Sequence, residues 1–192
     1  MREGIITFYK GRRYRSRLEA RWASFFDLAG WRYEYEPYDL PGWIPDFLLL
    51  GCQKTLVEVK PYTTFGEFDL KKIIQAMDAY PESPREVLLV GASLFDSFAD
   101  GPWPDGIVVG WLGEVLKGHG GNRLIDLEFD EAILCESAFG LGFFHASGSW
   151  TDRMSGMDHR QHWVASKDKI APLWQQSGNI AQWEPHPYLD RT

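Results

Sequence analysis

The stretch 43–61, Trp-Ile-Pro-Asp-Phe-Leu-Leu-Leu-Gly-Cys-Gln-Lys-Thr-Leu-Val-Glu-Val-Lys-Pro, constrains the fold more than any other part of the chain. Residues 47–50 are an apolar run, and Gly51-Cys52-Gln53 interrupts it. Residues 55–59 are β-branched and apolar, with one glutamate in the middle. This is the pattern of two strands and a tight turn. Folding about Cys52 sets Asp46 opposite Glu58, each six positions from that centre. Opposed residues on antiparallel strands have Cβ atoms about 4.5–5.5 Å apart, where like charges repel. Lys60 lies on the Glu58 face, and Val57 and Val59 point the other way. One reading is an ion pair between Asp46 and Lys60 at a strand end, with Glu58 on a solvated edge. The other is a divalent cation between the two carboxylates. Oxygen ligands suit Mg²⁺, which takes one or two carboxylates and fills its octahedron with water and substrate phosphate.

The flanking segments supply the remaining elements. Residues 5–9 and 12–15 read as a short hairpin turned at Lys10-Gly11. Ser16-Arg17-Leu18-Glu19 is a capping box, so a helix is expected over 17–29 with Leu18, Trp22, Phe25, Phe26 and Ala29 inward and Gly30 as its stop. Residues 31–36 alternate as a strand, 37–43 form a loop, and Pro61 ends the Glu58 strand. A second capping box at 64–67 opens a helix to about Tyr80. Strands follow at 86–90 and 107–111, the first parallel to the Glu58 strand because a helix crosses between them. Beyond 112, segments 124–129, 132–135 and 142–145 look strand-like, 151–162 looks loop-like, and a closing helix is expected over 171–183 with Pro172 in its first turn.

The chain has 192 residues, enough for one domain with an appendage and a core that needs no staples. Its two cysteines, Cys52 and Cys135, form neither a disulfide framework nor a zinc spacing, and point to a reducing cytoplasm. His159 and His162 have no second ligand pair to make a zinc site. Neither a signal peptide nor a membrane-spanning apolar run is present, and no Walker-type or Ser-His-Asp pattern occurs, so no nucleotide cofactor is expected. The net charge of −7 is unfavourable for a generic DNA binder, but residues 1–22 hold seven arginines and lysines against two glutamates. Arg12, Arg13, Arg15, Arg17 and Arg21 form either a phosphate-facing patch or a solvated basic arm. Lys71 and Lys72 face either phosphate or solvent.

Pro45-Asp46 followed by Glu58-Val59-Lys60 on the next strand resembles the PD-(D/E)XK nuclease superfamily. Segment 15–23 looks like the first helix of resolvase-like and phage-borne members. The resemblance covers roughly residues 14–112. It implies an α/β fold: an α-β-β-β-α-β restriction-endonuclease-like core, with a mixed central sheet flanked by helices, over 1–112. Residues 113–192 are then a C-terminal extension: a sheet extension, a DNA-docking element or a homodimer contact. The resemblance implies a metal-dependent endonuclease hydrolysing phosphodiester bonds in DNA. Asp46, Glu58 and the Val59 carbonyl would hold Mg²⁺, for which Mn²⁺ can substitute. Lys60 would orient the attacking water or stabilise charge on the phosphorane, and Glu19 would join the site. As the N3 residue of its capping box, Glu19 has a structural role open to it as well. The alternatives are branched DNA or RNA as substrate, a non-catalytic nucleic-acid-binding module of the same fold, or an interaction protein.

Overall fold

Two positive-φ residues, Lys10 (φ 48°) and Gly11 (φ 76°), fold the N-terminal segment back on itself. A two-residue turn of this kind matches the twist of the strands it joins, here β1 (Thr7–Tyr9) and β2 (Arg12–Tyr14), paired Tyr9 to Arg12. The computed structural model describes residues 4–98, 100–115 and 127–181. Arg2 of the basic arm, residues 124–126 and the expected end of the closing helix at 182–183 lie outside the described residues.

Helix α1 (Arg17–Leu28) starts where the capping box places it, with Ser16 Oγ accepting from the Glu19 amide at 3.1 Å. Trp22, Phe25 and Phe26 are fully buried on its inner face. Strands β3 (Tyr33–Tyr35), β4 (Phe47–Leu50) and β5 (Lys54–Val59) follow as an antiparallel meander. The expected helix over 64–80 is divided. A 3₁₀ turn at Phe65–Glu67 ends where Phe68 adopts extended backbone, and α2 (Leu70–Ala79) starts afresh on Asp69, whose side chain accepts from the Lys72 amide. Strand β6 (Glu86–Val90) then pairs parallel to β5, and β7 (Phe95–Asp96) is a two-residue strand that no periodicity announced.

The boundary expected at 112 falls inside β8 (Ile107–Val115), which pairs antiparallel with β6. The described part of the segment expected at 124–129 and the segment at 132–135 belong to one strand, β9 (Leu127–Ser137), because β8 pairs with it from Leu127 to Ile133 and β10 from Ala132 to Ser137. β10 (Gly140–His145) and β11 (His162–Val164) both pair with β9, and β11 closes the stretch read as loop. The last helix, α3, runs Lys167–Ile180 and so begins four residues earlier than expected, with Pro172 in its second turn. Packing overrides the proline signal there, since Trp174 rests on Trp22 and Phe25 with ring centroids 4.7 and 5.7 Å apart.

The fold is mixed α/β. The main sheet runs β10-β9-β8-β6-β5-β4-β3, and only the β5–β6 pair is parallel. α1 and α3 pack on one face over Phe47, Val57, Val59, Leu88 and Val90. α2 covers the other over Leu48, Leu56, Val87 and Leu89. Below the sheet, buried Arg153 donates to Glu86 at 2.9 and 3.0 Å and also contacts Glu114, which ties the loop after β10 to β6 and β8. Breaking such a pair would strand a buried charge. Among the described residues no helix is long and apolar enough to cross a membrane.

Candidate active site

The β4–β5 register is Phe47 to Val57 and Leu48 to Leu56, so one further step sets Asp46 beside Glu58, as the turn predicts. The ladder is irregular at that step, since the Asp46 amide donates to the Val57 carbonyl at 2.8 Å. Both carboxylates reach one ammonium. Lys60 Nζ contacts Glu58 Oε1 and lies 4.0 Å from Asp46 Oδ2. The Val59 amide donates to Asp46 Oδ2 at 2.7 Å, and the Val59 carbonyl accepts from Lys60 Nζ at 3.2 Å. Glu58 Oε2 accepts from the buried Trp43 indole at 2.8 Å.

The electrostatics follow from burial. Asp46 is 1% exposed. Burial first, and the Glu58 carboxylate second, push its carboxyl from the ordinary 3.8 up to about 7, against the opposing pull of Lys60 and the Val59 amide. Burial works against the Lys60 charge, but the Glu58 and Asp46 carboxylates outweigh it and raise its pKa. Lys60 therefore sits as an ammonium between the two carboxylates.

Arg15 enters this cluster instead of standing on a basic arm. Its guanidinium contacts Asp46 Oδ1, lies 2.8 Å from Glu36 Oε1 and 3.9 Å from Glu19 Oε2. Those three carboxylates hold its pKa up despite partial burial. Glu36 has positive φ (48°) and its amide donates to the Asp46 carbonyl at 2.9 Å. Glu19 accepts from Ser16 Oγ at 2.9 Å, the Arg15 amide at 3.1 Å and the Tyr35 hydroxyl at 2.6 Å. The box thus closes on the amide before Ser16, and the carboxylate anchors the strand-to-helix junction that carries Arg15. We expect Glu19→Gln to lower stability by about 1–2 kcal/mol, because one carbonyl replaces an acceptor that serves three donors. Calorimetry checks this. A turnover loss of a hundredfold or more at unchanged melting temperature would instead put Glu19 in the chemistry.

The other candidates are dispersed. Arg12 and Arg13 are exposed on β2, and Arg17 is exposed in the first turn of α1. Arg21 packs on α3, with its guanidinium carbon 3.8 Å from the Trp174 ring centroid. Lys71 and Lys72 are both exposed on α2, and Lys72 lines the same cleft as Glu58, Lys60, Arg15 and Trp43, about 340 Å³ in volume. Sequence reasoning did not single out Trp43, Tyr35 or Glu36. Trp43 flanks the motif directly, and Tyr35 and Glu36 end the strand before it, so adjacency was the available signal.

Among the described residues no three His, Cys, Asp or Glu side chains form a metal-ligand group. Asp46, Glu58 and the Val59 carbonyl nonetheless offer the small hard-oxygen set that Mg²⁺ accepts, since that ion keeps several waters. Formal charge points the same way. Arg15 and Lys60 face Glu19, Glu36, Asp46 and Glu58, so two cations oppose four carboxylates. No family model, no curated protein and no solved structure matches the chain.

Proposed function

We propose that the chain is a metal-dependent nuclease that hydrolyses phosphodiester bonds in DNA, built on a restriction-endonuclease-like α-β-β-β-α-β core. The observation that carries this reading is the buried pair Asp46 and Glu58 sharing Lys60 beside an open cleft, in a cluster short of positive charge. The chain order of α1, β3, β4, β5, α2 and β6 supports it. Asp46, Glu58 and the Val59 carbonyl would hold Mg²⁺ or Mn²⁺. A divalent ion in such a site lowers the pKa of a bound water and polarises a phosphoryl oxygen. Lys60, protonated and half-exposed at the cleft, would meet negative charge as it develops on the phosphorane. Arg15 holds Asp46 in place through Oδ1, and Trp43 holds Glu58 through Oε2. Lys72 on the cleft wall would receive a neighbouring phosphate.

The test is cleavage of plasmid, linear, single-stranded and four-way-junction DNA, and of RNA, in Mg²⁺, Mn²⁺ or EDTA. Metal-dependent cuts that vanish in EDTA are expected. The Arg15 contact on Asp46 favours a second reading, a standing ion-pair cluster in a non-catalytic binding module. That reading predicts no metal response on any substrate.

A further inference from the structure

Past the C-terminal ends of β5 and β6 lies a second cleft, of about 670 Å³, between the start of α1 and the end of α3. Arg17, Leu18, Arg21, Pro61, Ala92 and Gly178 line it. Pro61 follows Lys60 and Leu18 precedes Glu19, so consecutive residues of the same two segments reach this cleft and the proposed site. Arg17 and Arg21 stand four apart on α1 and share one face.

Neither arginine is neutralised among the described residues. Among the described residues no carboxylate lines the cleft, and neither guanidinium has an ion-pair partner. The Arg21 guanidinium lies over the Trp174 ring, its carbon 3.8 Å from the ring centroid, and a Cβ on Gly178 of α3 would come within 3.2 Å of it. Its Nη2 donates to the Trp174 carbonyl at 3.0 Å, and its buried Nε has no partner. Burial and the nearby Arg17 both work against its charge, yet a guanidinium cannot shed its proton in a protein. A fixed, half-buried cation without a counter-charge is unfavourable unless an anion supplies one. Arg17 presents a guanidinium fork on this wall, and Arg21, with its Nη2 held by the Trp174 carbonyl, adds positive charge beside it, which together suit a phosphate.

We propose that this cleft is a second phosphate seat, which holds a phosphate group of the substrate strand next to the one attacked. The proposal rests on the nucleic-acid reading of the Lys60 site and adds the direction in which the strand leaves it, toward α3. The phosphate is either an internal diester or a terminal monoester.

The experiment is a salt titration of binding in EDTA, where the strand stays intact. The probes are circular single-stranded DNA and linear oligonucleotides with a 5′-phosphate or a 5′-hydroxyl. Arg17→Glu is the main variant. It sits exposed at the first position of α1, where a carboxylate suits the helix dipole, so folding is preserved. Arg160→Glu, exposed in the loop before β11, makes the same change of net charge elsewhere. Arg17→Glu should weaken binding across sequences and lower the slope of log K against log salt by about 0.7 on single strands. Arg160→Glu should leave the slope unchanged. An Arg17 effect of equal size on circular and linear DNA identifies an internal diester; one confined to the 5′-phosphorylated probe identifies a terminal monoester. Equal effects of the two variants, or no binding by wild type, overturn the seat. Loss of Mg²⁺-dependent cleavage from wild type with the Arg17 effect intact would remove the hydrolytic reading and leave the seat standing.

Discussion

Lys60→Ala should reduce cleavage by at least about a hundredfold while the protein still folds and still binds divalent metal. The size is that of removing one preorganised charge from a developing oxyanion. Folding survives because Lys60 follows the last residue of β5, with its side chain 38% exposed, and fills no part of the core. Metal affinity should hold or rise. The ammonium contacts Glu58 and lies 4.0 Å from Asp46, so removing it leaves both carboxylates more open to another cation. A metal ligand behaves in the opposite way, and Glu58→Gln should lose Mn²⁺ binding and cleavage together. Mn²⁺ titration by calorimetry alongside a single-turnover cleavage assay separates the two. Lys60→Arg should not restore the rate, since a planar fork cannot replace a compact ammonium in this position. A Lys60→Ala protein that cuts at the wild-type rate would sink the proposed site.

The paired carboxylates were legible because their register is local. Gly51-Cys52-Gln53 marks the turn, and the apolar residues on either side fix which way each strand faces, so Asp46 and Glu58 meet by counting. The α1 cap and buried stripe were legible for the same reason. Arg15 was not. Its contact with Asp46 spans 31 positions, and no short pattern encodes it, so charge composition assigned it to a basic arm. The C-terminal strands failed in a similar way. β9 is one long strand because β8 and β10 pair with it, and its interruptions by Asp130 and Glu131 read as a break only when it is viewed alone. Pro172 misled because a local preference competed with aromatic packing between α1 and α3, and packing prevailed. Arg17 and Arg21 were visible as charges, but the cleft that joins them needs α3, over 140 residues away.

Asp46 makes the sharpest claim about stability, and it needs no substrate. Its folded-state pKa is raised from 3.8 to about 7, so the folded protein holds this proton more tightly than the unfolded chain does. The stability it contributes is complete below pH 4 and is lost as pH rises through about 7. The full span corresponds to about 4 kcal/mol at most. Glu86 and Glu131 are also raised by burial and push in the same direction, so the comparison has to be made against a variant and not across pH alone. Asp46→Asn serves. A protonated aspartate and an asparagine each present one acceptor and one donor, so the variant matches wild type in charge and shape at pH 5. The acceptor faces the Val59 amide, and the donor faces Arg15 equally badly in both. In EDTA the two should therefore melt together at pH 5, and the variant should melt at or above wild type at pH 8. Millimolar Mn²⁺ at pH 8 should raise wild type by mass action, because it binds only the folded arrangement, and leave the variant nearly unmoved. Mn²⁺ is the stronger probe, being the tighter binder at oxygen sites where Mg²⁺ gives up its water reluctantly. Below pH 7 the ion must displace the Asp46 proton, so calorimetry at pH 6 should register about one proton released on binding. A variant clearly less stable than wild type in EDTA at pH 8 would mean that ionised Asp46 is the structural partner of Arg15 and Lys60, and the case for a metal between Asp46 and Glu58 would fall with it.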